Sequence, residues 1–172
     1  KIILEIGAGN LNHYIYEKNH ETYDVVEPWS ELLNNSPNIK FINNKYNLMQ
    51  DIKKKNYYER IISINTFEHL ENLVEDIKVI KSLLSKSGVL QVGIPCEGEL
   101  AFKIGWLFTT GLFFRLRYGL DYGKIMKFEH VNTFEEIYEL LKYNFKNVRL
   151  VRSRFILPIK NFSFYAYIEC SN

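Results

Sequence analysis

The apolar run Ile2 to Ile6 ends in Gly7-Ala8-Gly9 and passes into a stretch that reads as helix through roughly Lys18. A buried strand turning through glycines into a helix constrains what can follow. The same alternation of short strands and longer helical stretches recurs along the chain, which favours an α/β fold around a parallel sheet. Further strands are expected at Tyr23 to Glu27, closed by Pro28, at Lys40 to Asn43, at Arg60 to Asn65 and at Val89 to Ile94 before Pro95. Asn147 to Val151 and Phe162 to Ile168 supply the last two. Trp29 to Asn35 reads as a short helix that stops before Pro37. Leu73, Ile77, Ile80 and Leu84 form the apolar stripe of a longer one, with Ser87-Gly88 as its expected stop. Thr133, with Glu136 three residues on, forms a capping box for a helix whose Phe134, Ile137 and Leu141 face inward.

With 172 residues and 47% hydrophobic content, the chain fits a single domain, 1–172, around one core. One stretch breaks the rhythm. Between Pro95 and His130 lie Phe102, Trp106, Phe108, Phe113, Phe114, Tyr118, Tyr122 and Phe128, among Lys103, Arg115, Arg117, Lys124 and Lys127. This aromatic insertion at about 96–130 follows the fifth strand, at the end of the sheet where an open α/β fold takes its ligand.

The glycine loop carries the first chemistry. Gly7 permits a tight turn, and Gly9 lets backbone approach a ligand with no β-carbon in the way. Glu27 ends the second strand about 20 residues beyond the loop, where a carboxylate can accept both hydroxyl protons of a ribose. Glu5 precedes Gly7 by two residues, a place where a dehydrogenase usually has an apolar side chain. A carboxylate there repels a pyrophosphate but suits a cofactor with a cationic amino acid tail. The third glycine of the dinucleotide pattern is absent, position 12 being Asn12.

In these pieces, taken with Ile61-Ile62-Ser63-Ile64-Asn65-Thr66-Phe67-Glu68-His69-Leu70 and Ser87-Gly88-Val89-Leu90 through Pro95, the chain resembles the class I S-adenosylmethionine-dependent methyltransferases. The likeness is to the small-molecule branch, which has a Glu-His pair after the fourth strand. It implies a Rossmann-like, seven-stranded, mostly parallel sheet with the last strand antiparallel and helices on both faces. It also implies S-adenosylmethionine as cofactor and S-adenosylhomocysteine as product. Contacts to the methionine end would come from Gly7, Ala8 and Gly9 beside Glu5, and ribose contacts from Glu27 in Val26-Glu27-Pro28. A cofactor-facing turn is implied at Asn65-Thr66. Trp29 either stacks on the adenine or belongs to the core. Leu11 departs from the family, which often has glycine there, and no covering helix precedes the first strand. Either the cofactor is unusually open or the chain is an excerpt, as its lack of an initiator methionine also suggests.

Methyl transfer from a sulfonium is an in-line displacement that depends mainly on positioning, with a base needed only when the acceptor arrives protonated. The candidate bases are His69 and His130, each of which has a local structural role as its alternative. The insertion is expected to act as a lid over the acceptor, and its Lys and Arg residues favour a small anionic metabolite or sugar-linked acceptor, methylated at oxygen. Its aromatics could equally pack a homodimer or touch a membrane surface. An NAD-dependent oxidoreductase and an inactive methyltransferase-like binding module remain the alternatives.

The net charge of +2 argues against a partner held mainly through its phosphates, and Asn65-Thr66-Phe67-Glu68 is not the Asn/Asp-Pro-Pro-aromatic motif of nucleobase methylation, so no nucleic acid is expected. The longest apolar run, Ile104 to Phe114, is too short to span a bilayer. Cys96 and Cys170 lie far apart and match no zinc spacing, which points to reduced thiols, a cytoplasmic location and no metal.

Overall fold

The computed structural model describes residues 1–95, 110–119, 129–152 and 165–172. Its centre is a seven-stranded sheet in the order β3-β2-β1-β4-β5-β7-β6. The strands are β1 (Ile2–Ile6), β2 (Thr22–Val26), β3 (Asn44–Tyr46), β4 (Tyr58–Ile64), β5 (Leu84–Pro95), β6 (Asn147–Arg152) and β7 (Tyr165–Ser171). β1 to β5 pair in parallel, while β7 runs antiparallel to both β5 and β6. The strand order reverses beside β1, so the carboxyl ends of β1, β2 and β4 flank one crevice.

Each face of the sheet has its own apolar layer, as expected for helices on both sides. Leu4, Ile6, Ile61, Leu90 and Val92 meet α2 (Leu73–Leu83) and the helix Phe134–Asn144 on one face. Ile3, Tyr23, Val25 and Ile62 meet Leu11 and Leu33 of α1 (Ser30–Asn34) on the other. A further helix, α3, spans Thr110–Tyr118, which makes Phe134–Asn144 α4. The capping box of α4 forms as expected: Thr133 N–H donates to Glu136 Oε2 at 2.8 Å, and Thr133 Oγ1 accepts from Glu136 N–H.

Three local expectations need correction. The stretch after Gly9 is not a helix but turns and one 3₁₀ turn, Tyr14–Tyr16. Leu11 is the cause: it is fully buried against the second apolar layer and reaches it with φ +61, a left-handed value no helix continues through. The third strand lies at Asn44–Tyr46, with a 3₁₀ turn at Ile39–Phe41 where the strand was expected. It is a short, largely exposed edge strand, and side-chain amides hold it in place: Asn44 Nδ2 donates to Asp24 Oδ1 and Asn43 Oδ1 accepts from Tyr23 N–H, both at 2.8 Å. Finally, α2 stops at Leu83, ahead of Ser87-Gly88, because Leu84 already pairs with Tyr58 across a register shift between β4 and β5. Gly88 has packing work there, since a β-carbon would lie 2.7 Å from the Tyr58 carbonyl oxygen.

Among the described residues, no helix is long and apolar enough to cross a membrane. Of the two thiols, Cys170 is free and buried, and burial pushes it up to about 12; Cys96 lies outside the described residues. So does most of the 96–130 insertion, including Phe102, Trp106, Phe108, Tyr122 and Phe128.

Candidate active site

The glycine loop wraps the carboxyl end of β1. Gly7 and Ala8 N–H both donate to the Val26 carbonyl, at 2.9 and 3.3 Å, so the loop is laid across the end of β2. Gly7 has φ +71, and a β-carbon there would overlap the side chain of Thr66. Gly9 has φ +50 and open space where its β-carbon would be. The two glycines therefore differ in purpose: the first admits a neighbour already present, and the second leaves room for one that arrives.

Glu27 ties this loop to the next. One carboxylate oxygen accepts Gly9 N–H at 2.8 Å and the other accepts Trp29 N–H at 2.9 Å. Each oxygen keeps a further lone pair for a ligand hydroxyl. Glu27 is buried, while Pro28 and Trp29 beyond it are exposed, and the 62% exposure of Trp29 excludes the core as its place.

Glu5 lies beneath the loop, 3% exposed, accepting the Tyr23 hydroxyl at 2.8 Å. Burial pushes its carboxyl up to about 7, partly opposed by the Tyr23 hydrogen bond. A cation placed beside it would reverse that shift.

The turn after β4 completes the crevice. Asn65 adopts φ +53, donates its N–H to the Gly93 carbonyl at 2.9 Å, and accepts the Tyr165 hydroxyl on Oδ1 at 2.8 Å. Thr66 sets its hydroxyl within 3.1 Å of the Ile64 carbonyl and 3.3 Å of the Ile6 carbonyl, which joins this turn to the end of β1.

Three residues further on, the fold brings together two histidines that are 61 positions apart in sequence. The rings of His69 and His130 meet edge to face with centroids 4.5 Å apart. Glu68, 2% exposed, is the third member of the group. The clamp is Asn132, whose Nδ2 donates to the carbonyls of Phe67 and Leu70 at 3.0 and 2.6 Å, while its N–H donates to the Glu68 carbonyl at 3.1 Å. His69 Nδ1 lies 3.0 Å from the Glu129 carbonyl.

Sequence reasoning nominates both histidines without joining them, and it passes over Tyr23, Asn132 and Tyr165 as site residues. Only Asn132 offers a signal, as a polar residue between His130 and a helix cap. A separate cavity of about 260 Å³ opens over β4, β5 and β7 between Arg60, Gln91 and Tyr167, and neither the glycine loop nor His69 and His130 line it.

No protein-family model matches the sequence, and no curated protein matches it. Solved structures do match in fold. An S-adenosylmethionine-dependent methyltransferase from Archaeoglobus fulgidus is 15% identical, with TM-score 0.68 over 100% of this chain and 86% of its own. One from Thermotoga maritima is 15% identical, with TM-score 0.67 over 98% and 81%. The plantazolicin methyltransferase in complex with S-adenosylhomocysteine is 14% identical, with TM-score 0.68 over 99% and 75%. The chain has the class I methyltransferase fold: a Rossmann-like sheet with its last strand reversed.

Proposed function

We propose that the chain is a cytoplasmic S-adenosylmethionine-dependent methyltransferase acting at oxygen on a small, anionic acceptor. The observation that carries this reading is Glu27, a buried carboxylate at the end of β2 whose oxygens grip the backbone on both sides of the open Gly9. Support comes from the fold neighbours, which are methyltransferases, one of them holding S-adenosylhomocysteine.

In this proposal Gly7, Ala8 and Gly9 take the methionine end, and Glu5 faces its cationic tail. Glu27 takes the ribose, Pro28 and exposed Trp29 border the adenine, and Asn65-Thr66 closes the crevice from β4. The acceptor oxygen approaches the methyl carbon in line with the sulfur, so positioning supplies most of the rate. His69 and His130 lie on the acceptor side and govern its proton. Arg115 and Arg117 on α3, within the 96–130 insertion, favour an anion.

Calorimetry with S-adenosylhomocysteine and with NAD tests this reading. The sulfur nucleotide should bind, NAD should not, and Glu27→Ala should weaken binding at least about tenfold, the cost of one charged hydrogen-bond acceptor. Binding of NAD in place of the sulfur nucleotide would overturn it.

A further inference from the structure

We propose that Glu68, His69 and His130 form a site for one divalent transition-metal ion, resting on the reading above and giving the two histidines their part in it. Their ligating atoms lie within 4.8 Å of one another, close enough to surround a single ion after small side-chain rotations. Two imidazoles and one carboxylate suit manganese, iron, cobalt or zinc rather than magnesium or calcium, which prefer oxygen alone.

The hydrogen-bond geometry prepares the ligands. A carbonyl can only accept, so the bond from His69 to the Glu129 carbonyl places the ring proton on Nδ1. The lone pair is then on Nε2, ready for a metal, with a backbone carbonyl orienting the ring from behind as is usual for metal-bound histidine. Asn132 holds the Glu68-His69 turn against the segment bearing His130, so the group is assembled before any ion arrives. Glu68 is buried, His69 is exposed and His130 is half-buried. An ion can therefore enter from solvent. Three protein ligands leave at least one coordination position open, the arrangement of a catalytic rather than a structural site.

The site follows the Asn65-Thr66 turn, beside the cofactor loop. An acceptor hydroxyl bound to the ion would lose its proton to water more readily. Its oxygen would then bond to the methyl carbon as the carbon–sulfur bond breaks, with the electron pair passing to sulfur to leave a neutral thioether.

Cobalt(II) titration of the intact chain tests the site through visible absorption and histidine proton resonances. One equivalent should bind and be displaced by zinc but not by magnesium. It should shift the resonances of His69 and His130, leaving His13 and His20, the other two of the four histidines, in place. His69→Gln and His130→Gln should each weaken cobalt binding at least about tenfold. Absence of visible bands, shifts confined to His13 or His20, or unaltered binding in both variants would overturn the proposal. The wild-type resonances decide the matter even if a variant does not fold. Cobalt binding without S-adenosylhomocysteine binding would sink the methyltransferase reading and leave the metal site standing; the reverse would sink the metal site alone.

Discussion

The glycine loop and the histidine pair occupy neighbouring points on the carboxyl edge of the sheet, yet they are assembled by different means. The loop is built from backbone: glycines at positive φ, N–H groups on the Val26 carbonyl, and a carboxylate only 18 residues from the amide it caps. The histidine pair is built from side chains that meet across the fold, held by the amide of Asn132 more than 60 residues from its partners. A site made of backbone is specified by short motifs and survives in any sequence that keeps them. A site made of distant side chains depends on the whole sheet and can change without disturbing the loop.

Gly7→Ala should do the greatest damage and act on the loop alone. The left-handed φ and the overlap with Thr66 together should cost about 3–5 kcal/mol, seen as a lowered denaturation midpoint. Gly9→Ala carries only the φ penalty, so it should cost about 1–2 kcal/mol in stability while still impairing nucleotide binding. Equal destabilisation by the two would contradict their division of roles.

Glu5 gives the next effect. Its carboxyl is raised from the ordinary 4.5 to about 7 by burial, so the folded state binds its proton more tightly than the unfolded chain does. The resulting stability is fully present below pH 4.5 and is lost as pH rises through 7, a change of about 3 kcal/mol between wild type and Glu5→Gln. Denaturant titrations across that range measure it. A ligand with a cationic tail should lower the Glu5 pKa, so S-adenosylhomocysteine binding near pH 6.5 should release a proton. Proton uptake would argue that the tail lies elsewhere.

Asn132→Ala should cost about 1–3 kcal/mol in stability for its lost side-chain hydrogen bonds. It frees the Glu68-His69 turn from the His130 segment while leaving the glycine loop intact. Turnover should fall, with nucleotide affinity within about twofold of wild type, the range expected of independent sites.

The same contrast explains what the sequence discloses. Strand β1, the strand β2 that leads into Glu27, and the capping box of α4 are legible because their signals are local: an apolar run, a spacing and a Thr-x-x-Glu pattern. The turn after Gly9 is misread because Leu11 has helical spacing in sequence but enters the core through a left-handed backbone. Edge strand β3 is displaced because Asn44 and Lys45 are exposed and carry no apolar alternation. The meeting of His69 with His130 is invisible because Asn132 is legible only as a polar residue before a helix cap, while the carbonyls it clamps lie more than 60 positions away and are brought to it by the folded sheet.

The most direct test of the separation between the two regions is S-adenosylhomocysteine affinity, measured calorimetrically in Glu27→Ala and in His130→Ala under the same conditions. Affinity should fall at least about tenfold in Glu27→Ala and remain within about twofold of wild type in His130→Ala. A loss in His130→Ala, or none in Glu27→Ala, would contradict it.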